Sequence, residues 1–205
     1  ICGGVGGLAT ACLLAKQGYP EELLEKNSDL GRVFNLNGPS WYMMPDVYER
    51  FFEILGERRD HYFGLEKLAP SYRVFFEKEE GGEWLDFYSD LNRDLATFER
   101  LEIGSGIKLK RCLTKAERKY VLAKAYMFGD YRKLFSLPPL PLFSSIQKYL
   151  ENNFRSEKVR QILSYPYMFL GAPPGEIPSL YSFMNYADFG LGGWLPSGGM
   201  TRIPE

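Results

Sequence analysis

The sequence predicts an α/β chain: an incomplete doubly wound (Rossmann-like) segment, followed by a mixed α+β region that turns helical. Three observations predict it. A glycine run, CGGVGG, leads into an amphipathic segment and then a short apolar stretch containing an acid. Two aromatic, β-branched runs flank an acidic, glycine-rich turn, which is the pattern of a hairpin. Beyond Ser89, leucines and aromatics recur at helical spacing. The boundaries expected are 1–45 for the partial nucleotide-binding segment, 46–104 for a segment with the hairpin, 105–176 for a helical region and 177–205 for a return segment.

The elements follow in chain order. Gly6 to Gln17 reads as a helix, with Leu8, Ala11, Cys12 and Ala15 at helical spacing and Gly18 as its stop. Glu21 to Asn27, EELLEKN, reads as a strand after the turn. A helix is expected from about Pro45 to Leu55, burying Val47, Phe51, Ile54 and Leu55. SYRVFFEKEEGGEWLDFYSD is the hairpin, turning at Glu79–Gly82. Ser89 can cap a helix carrying Leu91, Leu95, Phe98 and Leu101. Ser105 can cap a longer one, with Leu109, Leu113, Ala116 and Tyr120 on one side. The three prolines of LFSLPPLPLFSS forbid continuous helix there. Ser156 starts another helix, which Pro166 bends, and Pro178 lies near a further helix start. GLGGWLPSGGM is expected to close the chain as a tight Gly/Pro loop.

Composition narrows the function classes. Apolar residues are 45%, charged residues 25%, and the net charge is −1, an ordinary globular balance. With no dense Lys/Arg run, a nucleic-acid partner is not expected. Cys2, Cys12 and Cys112 form no CxxC and His61 is the sole histidine, so neither a zinc site nor a Cys–His nucleophile is expected. No uninterrupted apolar run reaches the roughly 18 residues of a membrane-spanning helix.

A dinucleotide loop needs three glycines spaced G-x-G-x-x-G between a strand and a helix: for the turn, for the approach of the pyrophosphate, and for close packing. The register that suits the helix puts Cys2, Gly4 and Gly7 at these positions; the other puts Gly3, Val5 and Leu8 there. Cys2 in a glycine conformation costs on the order of 1 kcal/mol. Glu25 stands where an acid about 20 residues beyond the loop would bind a ribose hydroxyl, favouring an adenosine without a 2′-phosphate. The same letters also suit a glycine-rich turn and an ordinary surface Glu. Only Ile1 could belong to the central strand expected before the loop, so the chain reads as a piece of a longer protein or a truncated gene product.

The phrases GGVGGLATACLLAKQGY, LEKNSDLGR, GPSWYMMPDVYERFF, PSYRVFFE, GSGIKLKRCL and QILSYPYMFLGAPPGEIPSLYSFMNYADFGLGGWLPSGGM occur in that order. In them the chain resembles the bacterial-type phytoene desaturases, FAD-dependent carotenoid desaturases within the amine-oxidase-like flavoproteins, as an N-terminal portion. The resemblance implies that Gly4, Gly6 and Gly7 face the FAD pyrophosphate and that Glu25, with Lys26 beside it, holds the adenosine ribose. Gly31 and Arg32 match the end of a Gly-Gly-Arg phrase that approaches the phosphates. Trp194 matches a loop on the route to the substrate tunnel, and Trp41 and Tyr42 a place near the flavin or the tunnel wall. Asp188 is a candidate acid near that channel, or a simple turn Asp; no catalytic residue is assigned. Departures from the family are Cys2, the reading Leu30-Gly31-Arg32, and the short run VFNLN before Gly38. With these and the absent C-terminal cofactor-binding segment, this portion alone is expected to bind FAD poorly or not at all, and to be inactive by itself.

The implied chemistry is dehydrogenation of a long-chain isoprenoid such as phytoene. Isomerisation or saturation of a related isoprenoid, and a non-catalytic remnant that keeps an isoprenoid- or membrane-binding surface, remain the alternatives. The apolar segment from Tyr126 to Leu150, with Arg132 and Lys133, is a candidate for peripheral bilayer contact, or a helical connection packed on the core. The expected location is cytoplasmic, with that contact at the membrane.

Overall fold

Helix α1 (Val5–Lys16) starts directly at the glycine run of this computed structural model. The structure describes residues 3–28, 30–31, 41–77, 82–130 and 144–205. Gly4 is the N-cap in extended geometry, without a side-chain cap. The helix stops at Gly18, where φ is +79°. The Gly18 N–H reaches Ala15 O and the Tyr19 N–H reaches Leu14 O, a left-handed C-terminal cap that glycine adopts without a Cβ penalty. Leu8 and Ala11 are half-buried, but Cys12 and Ala15 are exposed, so the packed face is narrower than the spacing suggests.

The expected strand at residues 21–27 does not form; the segment runs outside both sheets. A strand needs a neighbour for its backbone N–H and C=O groups. Among the described residues the two sheets pair other segments, and Leu24 is left exposed.

Contacts divide the chain into two compact units, Ile1–Leu68 with Gly193–Glu205, and Ala69–Gly192. In the first, α2 (Pro45–Leu55) begins with proline at its first position and ends at Gly56, φ +80°. Both residues are cheap there, since proline lacks the N–H that a first turn leaves unused and glycine tolerates the left-handed cap. Strand β1 (Leu65–Lys67) pairs antiparallel with β4 (Trp194–Pro196), Leu65 opposite Pro196 and Lys67 opposite Trp194. This corrects the expectation of a closing Gly/Pro loop. Pro196 ends β4, a place where its missing N–H costs no ladder bond.

The second unit carries the larger core. Strands β2 (Tyr72–Phe76) and β3 (Glu83–Phe87) form the expected hairpin, in the register Tyr72–Phe87, Val74–Leu85 and Phe76–Glu83. Tyr72, Val74 and Phe76 turn inward, while Arg73 faces out and grips Asp86 at 2.6 and 2.9 Å. Helix α3 (Leu91–Leu101) is capped by Asp90, whose carboxylate accepts from the Asn92 and Arg93 N–H groups. The cap is thus one residue past Ser89, which sits at φ +55° in the turn before it.

Helix α4 (Ser105–Met127) buries Leu109, Leu113, Ala116 and Tyr120, the face its spacing predicts. Gly104, at φ +83°, is its N-cap rather than Ser105, whose hydroxyl donates to Phe98 O and ties α4 to α3. Helix α5 (Ile146–Asn153) is capped by Ser145 and α6 (Glu157–Ser164) by Ser156. Each such cap is worth about 1 kcal/mol. Pro166 then converts the chain to a 3₁₀ turn, Tyr165–Leu170.

Phe87, Phe98 and Phe189 meet at ring distances of 5.5 to 5.8 Å at the centre of this unit, packed by Leu109, Ile146 and Ile162. The chain is therefore mixed helix and strand. Among the described residues no helix is long and apolar enough to cross a membrane. The hairpin turn at 78–81 and the proline-rich run 131–143 lie outside the described residues.

Candidate functional site

The glycine loop, Glu25 and Gly31 come together at the N-terminus of α1. The Gly3 N–H donates to Glu25 Oε2 at 3.1 Å, and the Gly31 N–H donates to Gly3 O at 2.9 Å. Glu25 Oε1 accepts from the Asn27 N–H at 2.9 Å and from Asn27 Nδ2 at 2.7 Å. The Asn27 backbone N–H does most to hold the Glu25 carboxyl below the usual carboxylate range. Gly3 and the Asn27 side chain add to it, against some desolvation.

Two glycines are required here for space. A Cβ on Gly3 would lie 2.7 Å from Leu30 Cδ2 and 2.8 Å from Glu25 Oε2. One on Gly31, already at φ +64°, would lie 2.3 Å from Pro204 Cγ. Gly4 and Gly6, by contrast, face open space: a Cβ on either would meet no atom within 4 Å. No side chain caps α1 and no acid occupies its first turn. Such a helix start, with N–H groups and the positive end of the dipole, attracts an anion.

Of the expected cofactor residues, Gly4, Gly6, Gly7, Glu25 and Gly31 thus fall together around the α1 start, Gly31 buried and the others half-buried or exposed. Lys26 is exposed beside Glu25. Arg32 and Cys2 lie outside the described residues. Gly3 belongs to the register that suits the helix less well, yet it is the buried glycine against Glu25. Its signal, the closeness of residue 25, exists only in space.

Tyr42 and Trp194 are joined by two backbone hydrogen bonds of 2.8 and 3.1 Å, with Trp41 half-buried alongside in sequence. The Tyr42 side chain is fully enclosed, 4.2 Å from the Tyr48 ring and edge-on to Phe63. Burial pushes its phenol far above the usual range. Trp194 stays half-buried beneath the Lys67 ammonium, 5.4 Å away.

Asp188 belongs to the second unit. It sits in a π-helical turn, Tyr186–Leu191, a wide geometry frequent at functional sites. It is 8% exposed and accepts a hydrogen bond from Tyr72 Oη at 2.8 Å. Desolvation raises its carboxyl to about 7; the Tyr72 hydrogen bond opposes this and the Asp94 charge adds to it. The Tyr72 ring stacks on Phe87 at 5.3 Å and meets Tyr165 at 5.1 Å. Tyr165 in turn lines an open cleft of about 590 Å³, with Val74, Phe76, Leu150, Ile162 and Met168. No group of His, Cys, Asp and Glu among the described residues could hold a metal ion.

No family model matches the chain. The chain is 37% identical over 99% of its length to a carotenoid 3,4-desaturase of Haloarcula japonica, covering 44% of that protein. It is 29% identical over 98% of its length to a phytoene desaturase of Phycomyces blakesleeanus, covering 37% of it. Against a zeta-carotene-forming phytoene desaturase of Myxococcus xanthus the identity is 28%, over 98% of the chain and 42% of the relative. The chain is a sequence relative of the carotenoid desaturases along nearly all of its length, and it spans less than half the length of those it matches.

Proposed function

We propose that this chain supplies the nucleotide-binding start and part of the substrate region of an FAD-dependent carotenoid desaturase. The observation that carries the reading is the Glu25 carboxylate, 3.1 Å from the Gly3 N–H at the uncapped start of α1. The residues fit a dinucleotide. The open approach at Gly4 and Gly6 admits a diphosphate to the backbone, and Glu25 supplies an acceptor for the ribose. In this reading α1 is the first helix of an incomplete Rossmann-like unit, with Gly7, Lys26, Gly31 and Arg32 flanking the cofactor.

FAD, when bound, supplies the acceptor for the hydride lost from a saturated carbon chain, chemistry that no side chain provides. The chain's own residues bind and orient. Trp41 and Trp194, both half-buried, give an apolar wall for a long isoprenoid; Tyr42, whose side chain is enclosed, contributes only its backbone pairing to Trp194. Asp188, with its carboxyl at about 7, can hold or take up a proton at a carboxylate oxygen near neutral pH. The relatives named above are all desaturases, which favours dehydrogenation over isomerisation or saturation.

Titration of the purified protein with FAD, followed by flavin fluorescence, tests the reading. Glu25→Gln is expected to weaken FAD binding about tenfold or more, since hydrogen bonds to a charged group are the stronger kind. FMN, which lacks the adenosine, should bind equally to both forms. Equal FAD affinity of the two forms would remove the assignment.

Peripheral contact with a bilayer, where such a substrate dissolves, belongs to the same proposal. Tyr126 and Met127 support it, being 65% and 58% exposed at the end of α4, where the segment 126–150 begins. Tyr126→Ser with Met127→Ser should reduce co-flotation with phospholipid vesicles; equal flotation of both forms would count against contact there.

A further inference from the structure

The ribose end of the proposed site rests on a half-buried glutamate, and glutamate side chains have several torsions to spend in water. Three hydrogen bonds restrain this one, and the Lys26 backbone N–H adds a weaker pull. Gly3 holds Oε2 from the loop side, while the backbone and side chain of Asn27 both hold Oε1. The side-chain bond is the shortest of the three and the one that an alanine substitution deletes.

The restraint is also neutral. Among the described residues no Lys or Arg pairs with Glu25, so its charge is oriented without being cancelled. An ionised carboxylate offers about four acceptor sites, more than these three hydrogen bonds occupy. A lysine or arginine at residue 27 would hold the carboxylate equally well but would compete with a ligand for its charge.

We propose that Asn27 is a positioning residue of the nucleotide site: its side-chain amide fixes the Glu25 carboxylate against the glycine loop and leaves its remaining acceptor capacity for a vicinal diol, the ribose of an adenine nucleotide. This rests on the dinucleotide reading above and adds to it a residue that acts through another.

The test is calorimetric titration of the purified protein with ADP and with 2′,3′-dideoxy-ADP. Asn27→Ala should raise the Kd for ADP about tenfold. It should leave the Kd for the dideoxy compound within about twofold of the unmodified protein, because that ligand has no hydroxyl for Glu25 to receive. In a Glu25→Gln background, Asn27→Ala should add no further loss for ADP, as expected for two residues acting as one unit. Equal ADP binding with and without the Asn27 amide would overturn the proposal, as would an equal loss for both nucleotides. If the unmodified protein binds neither ADP nor FAD, the nucleotide reading itself falls, and Asn27 has no ribose to serve.

Discussion

Asp188→Asn is expected to stabilise the protein at pH 8 and to flatten its stability between pH 5 and 8. In the folded chain the Asp188 carboxyl is raised to about 7, chiefly by desolvation. In the unfolded chain it titrates near the ordinary value of about 3.9. Between these values the folded state binds a proton that the unfolded state has released. The contribution is therefore fully present below the unfolded value, and it is lost as pH rises through 7. At about 1.4 kcal/mol per unit of separation, the window is worth on the order of 2–4 kcal/mol. Asparagine keeps the shape and can still accept from Tyr72 Oη, but it carries no charge to bury. Carboxylates shifted the other way, such as Asp86 in its hydrogen bond to Arg73, act at lower pH and leave this window alone. Urea denaturation of both forms at pH 5 and pH 8 measures the difference directly. Parallel pH slopes for the two proteins would mean that Asp188 is ionised in the fold, and with it would go its role as a proton holder at neutral pH.

Phe98→Ala should cost about 3–5 kcal/mol of unfolding free energy, enough to consume much of the stability of a domain this size. Phe98 is fully buried, and its ring lies 5.6 Å from Phe87 and 5.5 Å from Phe189. These contacts join α3 to the hairpin and to the π-helical turn that carries Asp188. The loss combines the transfer term of the ring, a cavity that neighbours fill only in part, and two aromatic pairs of about 0.5–1.5 kcal/mol each. Phe98→Leu keeps much of the volume and should cost far less. Ile103→Ala, at a side chain 92% exposed, should change almost nothing. Denaturant midpoints for the three variants give the test, and a Phe98→Ala midpoint equal to that of Ile103→Ala would refute the placement of the core. Because Phe189 follows Asp188, the alanine variant should also loosen the acid's enclosure and lower its carboxyl toward the ordinary value.

The helices were legible where a few neighbouring letters decide them. Pro45 and Gly56 bracket α2, Ser156 caps α6, and the four residues Leu109, Leu113, Ala116 and Tyr120 fall on the buried face of α4 as their spacing requires. The hairpin was legible for the same reason, since alternation and a glycine-rich turn are properties of one short stretch. Even the near misses are local ones: Asp90 rather than Ser89 caps α3, a shift of one residue between two good capping side chains.

The candidate site divides along a similar line. Gly4, Gly6, Gly7 and Glu25 were nameable from their spacing, and no rule of spacing could name Gly3 or Asn27 beside them. Gly3 is constrained by Leu30 and Glu25, and Gly31 by Pro204, which arrive from elsewhere in the chain. Residues 21–27 have the composition of a strand, but strand structure also needs a partner, and none of the described strands supplies it. β1 and β4 lie far apart in the sequence and are each only three residues long, so neither carries a pattern of its own.

Caps, turns, helix faces and the identity of the residues able to meet a nucleotide follow from the letters, because each depends on side chains within a turn or two of backbone. The ladder between β1 and β4, the convergence on Glu25 and the proton affinity of Asp188 were decided only by the folded chain. Pairing, close approach and desolvation are set by whatever packs alongside, and sequence distance does not limit what that is.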